Sequence, residues 1–99
     1  KMKFNEKVYK LCKKIPKGKV STYKLVAEAL NTKAYRAVGQ ALNKNHYAPI
    51  VPCHRIIASN GHLHGFASGL KNKKLLLEKE GIKIKNSKVL DFEKVLFRF

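Results

Sequence analysis

Ninety-nine residues are enough for one modest hydrophobic core and too few for two, and a 44% hydrophobic content without low-complexity tracts specifies a chain that folds. Against 6 Asp and Glu stand 22 Lys and Arg, a formal charge of +16, which disfavours basic partners and draws polyanions, nucleic acid first, unless the lysines are only a solvated surface. Two cysteines make no disulfide framework, and there is no run of spanning length, no basic helix with a continuous apolar face and no secretory leader; the expectation is a reducing cytoplasm, nucleoid-associated, with no membrane partner.

In chain order, Phe4, Val8, Leu11, Cys12 and Ile15 recur at helical spacing between lysines, which predicts a first helix and reads Cys12 as core lining. Pro16-Lys17-Gly18 ends it, Val20 starts a short strand, and Ser21 or Thr22 offers the hydroxyl cap of a second helix, Tyr23 to Leu30. After a tight turn at Asn31-Thr32-Lys33, a third helix runs from Ala34 to Lys44. Two short helices around a tight turn on a basic chain outline a helix-turn-helix. In the third helix Ala34, Ala37, Val38 and Ala41 share one face and Arg36, Gly39, Gln40 and Asn43 the other. Glycine costs a helix interior about 1 kcal/mol against alanine, so Gly39 implies that another backbone comes close there.

Ile50-Val51-Pro52-Cys53-His54-Arg55-Ile56-Ile57 is an apolar run broken by three residues able to do chemistry or bind an anion. It is expected to enter as a strand and turn at Pro52, presenting Cys53 at the joint. In extended chain His54 would point away from Cys53. Asn60-Gly61 then signals a hairpin, which after a helix-turn-helix makes a wing. His62 and His64 alternate with Leu63, too few ligands for a metal. A fourth helix from Leu70 to Glu80 puts Glu80 on or beside the apolar face of Leu76 and Leu77, where a carboxylate either needs a partner or tilts to solvent before Gly81. Residues 84–99 are expected to pack back as a strand or short helix. The fold class is therefore mainly α with a small β wing, a winged helix-turn-helix DNA-binding domain over residues 1–99.

Pro52-Cys53-His54-Arg55 resembles the active-site signature of the O6-alkylguanine-DNA alkyltransferases, the methylated-DNA–protein-cysteine methyltransferases. Ile15 to Val20, Thr22-Tyr23, Arg36 to Gly39, Ala41-Leu42, Asn45, Gly61, Phe66, Gly69-Leu70 and Glu80-Gly81 fall in that family's order and spacing. The resemblance covers Phe4 to Lys83 and implies the family's C-terminal active-site domain, its N-terminal domain being missing or fused elsewhere. It implies that Cys53 takes the alkyl group, that His54 relays the proton through a water, and that Glu80 orients His54. Tyr23 would bond guanine N3 through its hydroxyl and support the base as leaving group, Arg36 would replace the extruded base in the stack, and Asn45 would brace the turn. Gly39, Gln40 and Asn43 would lie along the minor groove. The guanine pocket would be formed by Leu42, the carbonyls of Cys53 and Ile56 for the amine, the amide of Ala67 for O6, and Phe66 stacking on the flipped base. Phe66 stands where the family commonly has Tyr, and Ala67-Ser68 where it often has Ser-Gly.

The implied function is irreversible, single-turnover transfer of an alkyl group from O6-alkylguanine in double-stranded DNA to Cys53, by a monomer without metal or cofactor. Two alternatives stand beside it. One is the family's non-catalytic lesion-sensing branch, which carries Trp at the nucleophile's position. The other is a plain winged-helix DNA-binding protein with a structural cysteine.

Overall fold

The computed structural model describes residues 3–44, 52–63 and 69–99. The elements in chain order are α1 (Phe4–Cys12), β1 (Ser21–Thr22), α2 (Tyr23–Ala29), α3 (Tyr35–Asn43), a 3-10 turn (Cys53–Arg55), β2 (Ile56–Ile57), α4 (Leu70–Lys79), β3 (Ile84–Lys85), β4 (Lys88–Val89) and α5 (Phe92–Val95). The architecture is mainly helical with small sheets and matches the winged-helix class expected.

α1 buries Val8 and Cys12, one turn apart, and stops at Cys12, three residues before the expected end. The Lys14 and Ile15 amides close tight turns onto Leu11 and Cys12 instead, and Ile15 still reaches the core. Lys19 N–H then bonds the Pro16 carbonyl across a turn whose third residue, Gly18, has φ +88°, a conformation that favours glycine. α2 is capped by Thr22, whose Oγ1 accepts from the Leu25 amide at 3.0 Å. Its other end is a Schellman motif: Asn31 sits at φ 60°, and the Thr32 and Asn31 amides return to the Ala27 and Glu28 carbonyls. This delivers the chain into α3, which packs Val38, Ala41 and Leu42 inward and is pinned to α1 by the Tyr9 hydroxyl donating to the Ala41 carbonyl at 2.6 Å.

β1 and β2 pair in parallel, Ser21 opposite Ile56 and Thr22 opposite Ile57. Successive strand residues face opposite ways, so this small sheet divides two cores. Ile56 joins Val8, Cys12, Val26, Val38 and Cys53, while Val20 and Ile57 join Leu63, Leu77, Ile82 and Val89.

The wing differs from the expectation in its partner. Asn60-Gly61 does turn the chain, with Gly61 N–H on the Ala58 carbonyl and Ala58 N–H on the His62 carbonyl. The segment after it pairs with the second hairpin, however: His62 bridges Lys88, Leu63 N–H bonds the Ser87 carbonyl and Val89 N–H the Gly61 carbonyl. That hairpin, β3–β4, turns at Asn86 and Ser87, both at positive φ (53° and 59°), the geometry that matches strand twist in two-residue loops. Residues 95–97 then run beside Val20, with Val20 N–H on the Val95 carbonyl and Phe97 N–H on the Val20 carbonyl. The return of the 84–99 segment thus adds a strand-like edge to β1.

Candidate active site

Pro52 (φ −80°, ψ 66°) leads into the 3-10 turn, closed by the Arg55 amide on the Pro52 carbonyl at 3.0 Å. This corrects the extended reading of the run: a 3-10 turn sets successive side chains about 120° apart around its axis instead of on opposite faces, and Cys53 and His54 are both buried, at 6% and 2% exposure. The expected strand entry at Ile50-Val51 lies outside the described residues.

α4 holds this turn from one side. Lys73, Leu76, Leu77 and Glu80 recur at helical spacing, so both charged residues share the apolar stripe. Glu80 is the C-cap of α4, fixed by a second Schellman motif in which the Gly81 amide (φ +92°) bonds the Glu78 carbonyl and the Ile82 amide the Leu77 carbonyl. A carboxylate at the negative end of a helix is unfavourable unless cations hold it. Arg55 does so with a fork, Nε to Oε1 at 2.9 Å and Nη2 to Oε2 at 2.6 Å, and Nη1 continues to the Ile15 carbonyl at 2.7 Å. His54 Nε2 adds a 3.0 Å bond to Oε2. Of the two readings of Glu80, the structure takes the partnered one.

The electrostatics follow. Burial pushes the Glu80 carboxyl up, but the bonds from Arg55 and His54 outweigh it and hold it below its ordinary value. Burial lowers His54 more than Glu80 raises it, so its imidazole is neutral at neutral pH. With Nε2 donating to Glu80, Nδ1 carries a lone pair, and it is buried without a partner among the described residues. A carboxylate-oriented imidazole with a free basic nitrogen, next in sequence to a thiol, is equipped to accept that thiol's proton. Cys12 sits in the same core cluster as Cys53, and burial, reinforced by the Cys53 charge, pushes its thiol up to about 12, the inert lining expected. The Tyr23 hydroxyl is likewise pushed up to about 12, first by burial and then by the neighbouring thiols, so it is a donor at any physiological pH.

Tyr23, Arg36, Gly39, Gln40 and Asn43 line one cavity of about 530 Å³, together with Tyr35 at the start of α3. Tyr23 also packs against the cluster holding Cys53 and so links the cavity to the thiol. Leu42 and Ile56 are in the core around Cys53, not in the lining of this cavity. An added Cβ at Gly39 would meet nothing within 4 Å, so no other part of the described chain makes the close approach expected there. Asn45, Phe66 and Ala67 lie outside the described residues. Two residues do more than the sequence assigns them: Arg55, which stands in the motif only as a residue able to bind an anion, and Lys73, whose signal is a lysine on an apolar stripe. Among the described residues no group of three His, Cys, Asp or Glu could hold a metal, and no helix is long and apolar enough to cross a membrane.

Fold and site together define a small basic winged-helix-like domain built around a buried thiol and a carboxylate-held imidazole. The chain belongs to the family described as 6-O-methylguanine DNA methyltransferase, DNA binding domain, whose sequence profile matches residues 3–82. Over 81 residues it is 53% identical to the methylated-DNA–protein-cysteine methyltransferase of Saccharolobus solfataricus, covering 82% of this chain and 52% of that protein. It thus spans about half the length of the methyltransferase relatives it matches. The crystal structure of O6-methylguanine-DNA methyltransferase from Pyrococcus kodakaraensis superimposes with a TM-score of 0.75 at 45% identity, over 82% of this chain and 47% of that one. S. pombe Atl1 in complex with damaged DNA containing O6-carboxymethylguanine gives a TM-score of 0.85 at 33% identity, over 97% of this chain and 95% of that one. The expectation of a C-terminal active-site domain is narrowed by these matches to the family's DNA-binding domain.

Proposed function

We propose that this DNA-binding domain also carries the chemistry: single-turnover transfer of an alkyl group from O6-alkylguanine in double-stranded DNA to Cys53. The observation that carries the reading is the hold of Glu80 on His54 Nε2 at 3.0 Å, which leaves Nδ1, buried and without a partner among the described residues, on the residue next in sequence to Cys53. Arg36 and the Gly39, Gln40 and Asn43 face of α3 engage the minor groove, and the alkylated base is flipped through the cavity that Tyr23 shares. The Cys53 proton passes to His54 Nδ1 through a bridging water. The sulfur attacks the alkyl carbon, the carbon–O6 bond breaks, and the electron pair departs with the base. The Tyr23 hydroxyl, kept protonated because its phenolate is disfavoured, donates a hydrogen bond to guanine N3 as negative charge builds on the base, and the proton that His54 took from the thiol returns through solvent to the departing guanine anion. The products are S-alkylcysteine and guanine, and nothing removes the alkyl group, so each molecule acts once. Asn45 would brace the turn, with Phe66, Ala67, Leu42 and the carbonyls of Cys53 and Ile56 forming the base pocket.

Cys53→Ser tests this directly. Transfer should vanish while affinity for duplex changes less than about threefold, because the thiol is chemistry and the lysines are binding. Residual transfer at a site other than Cys53 would overturn the assignment. A second reading, lesion binding without transfer, is favoured by one observation: S. pombe Atl1 in complex with damaged DNA superimposes with a TM-score of 0.85, against 0.75 for the methyltransferase of Pyrococcus kodakaraensis. Lesion-selective binding by the unaltered protein without alkylation of Cys53 would decide for it.

A further inference from the structure

Tyr23 and Tyr35 both line the cavity on α3, but their rings are held differently. Tyr23 packs against the cluster holding Cys53, and the ammonium of Lys73, itself bonded to the Ile56 carbonyl, lies 5.7 Å from the centre of its ring. Tyr35, the first residue of α3, is 43% exposed, and among the described residues no hydrogen bond or ring contact holds its side chain. Its backbone is nonetheless fixed, its amide bonding the Lys33 carbonyl at 2.9 Å and that of Ala34 bonding Thr32 Oγ1 at 3.1 Å.

One exposed aromatic residue on a surface needs no explanation by itself. What sets Tyr35 apart is its company. Lys24 on α2 and Arg36 beside it on α3 line the same cavity, and Gly39 puts no side chain between them. At about 530 Å³ the cavity has room for one nucleobase. Cations that hold a phosphate backbone, set beside a flat aromatic face, are the parts from which sites for unpaired nucleotides are made. Every base has a π-face, so such stacking is indifferent to sequence. A base inside a perfect duplex is already covered by its neighbours, and the gain falls on an unpaired base, which leaves the stack at least cost.

We infer that Tyr35 is a base-stacking residue: its exposed ring takes the face of an unpaired base that has left the duplex, and so gives the domain a preference for unpaired nucleotides that needs no alkyl group. The inference rests on the reading of this face of α3 as the DNA-binding face. It does not require that transfer occur.

The test compares two duplexes without alkyl groups, one perfectly paired and one with a single extra, unpaired 2-aminopurine, by fluorescence anisotropy and by the emission of that base. The unaltered protein should bind the bulged duplex about tenfold more tightly, the scale of one base–aromatic stack, and quench the 2-aminopurine. Tyr35→Ala should cut the preference below about threefold and relieve the quenching, with the salt dependence unchanged because no charge is lost. Tyr35→Phe keeps the ring and should keep both effects. Equal affinity of the unaltered protein for the two duplexes, a preference that survives Tyr35→Ala, or one that is lost in Tyr35→Phe would overturn the proposal. The first comparison changes no residue, so it decides whatever the variants do to folding. Arg36→Ala reads the face itself. Unchanged affinity for the perfect duplex in that variant would remove the face from the interface, and weakened affinity without a bulge preference in the unaltered protein sinks this inference alone. Methyl transfer to Cys53 is scored separately, and a Tyr35-dependent preference without transfer sinks only the alkyltransferase reading.

Discussion

His54 and Glu80, 26 residues apart in the chain, meet with Nε2 3.0 Å from Oε2, inside a fold that leaves the imidazole 3% and the carboxylate 11% exposed. The Schellman end of α4 aims the carboxylate, and the Pro52 turn aims the ring. Arg55 completes the arrangement, because a carboxylate at a helix C-terminus shared only with a neutral histidine would be poorly compensated. Its fork keeps Glu80 ionised, while burial holds His54 neutral, the state in which Nδ1 can take a proton.

Glu80→Gln retains shape and removes the charge. The Arg55 guanidinium then loses its counter-ion in a largely buried site, and stability should fall by about 2 to 3 kcal/mol, as for other partly enclosed pairs broken from one side. Urea unfolding measures this. A loss below about 0.5 kcal/mol would mean that the cluster is solvated in a way the geometry does not indicate. Transfer to Cys53 should slow by at least about tenfold, since the imidazole loses the carboxylate charge that stabilises it once Nδ1 has taken a proton.

Acid should destabilise the protein in two steps. His54 titrates lower in the folded than in the unfolded chain, so the unfolded chain takes up its proton first and stability falls as pH drops below about 6.5. Glu80 is also depressed, so its contribution is complete above its unfolded value of 4.5 and is lost as pH falls through the folded one. At the other end, Lys73 is depressed to about 8 from 10.5, so the cost of burying its charge is relieved between those values and stability should rise with pH there. Melting curves of Glu80→Gln and Lys73→Met beside the unaltered protein isolate the steps: the first variant should lose the lower acid limb, the second the alkaline rise.

Gly39→Ala should separate folding from DNA binding. Nothing in the described chain approaches within 4 Å of the added Cβ, and alanine is the better helix former by about 1 kcal/mol, so the melting temperature should rise by several degrees. Affinity for duplex should nonetheless fall, by about tenfold, if this face of α3 sits against the sugar-phosphate backbone. Unchanged affinity by fluorescence anisotropy would remove Gly39 from the interface.

Much of this was legible in the sequence where a local rule acts alone. Helical spacing located α1 to α4, and hydroxyl capping picked out Thr22 as one of two candidates. Cys53, His54 and Glu80 were singled out by a motif and by a carboxylate on an apolar stripe. What escaped depends on contacts distant in sequence. The Asn60-Gly61 turn is local and forms, yet its strand partner is far downstream at Ser87 to Val89, where no single-residue propensity indicates pairing. Alternation suggested that Cys53 and His54 diverge, but it applies only to extended chain, and the Arg55 bond to the Pro52 carbonyl makes a turn of it. Lys73 was legible only as an anomaly, because the group that satisfies it is a backbone carbonyl, which every residue carries.

The central claim is that Cys53 is an alkyl acceptor. The most direct test is the intact mass of the protein, followed by peptide mapping, after incubation with a short duplex bearing one O6-methylguanine. The account predicts one added methyl group, on the peptide containing Cys53, saturating at one equivalent and absent when the duplex carries unmodified guanine. An unchanged mass under conditions where the protein demonstrably binds that duplex would contradict it.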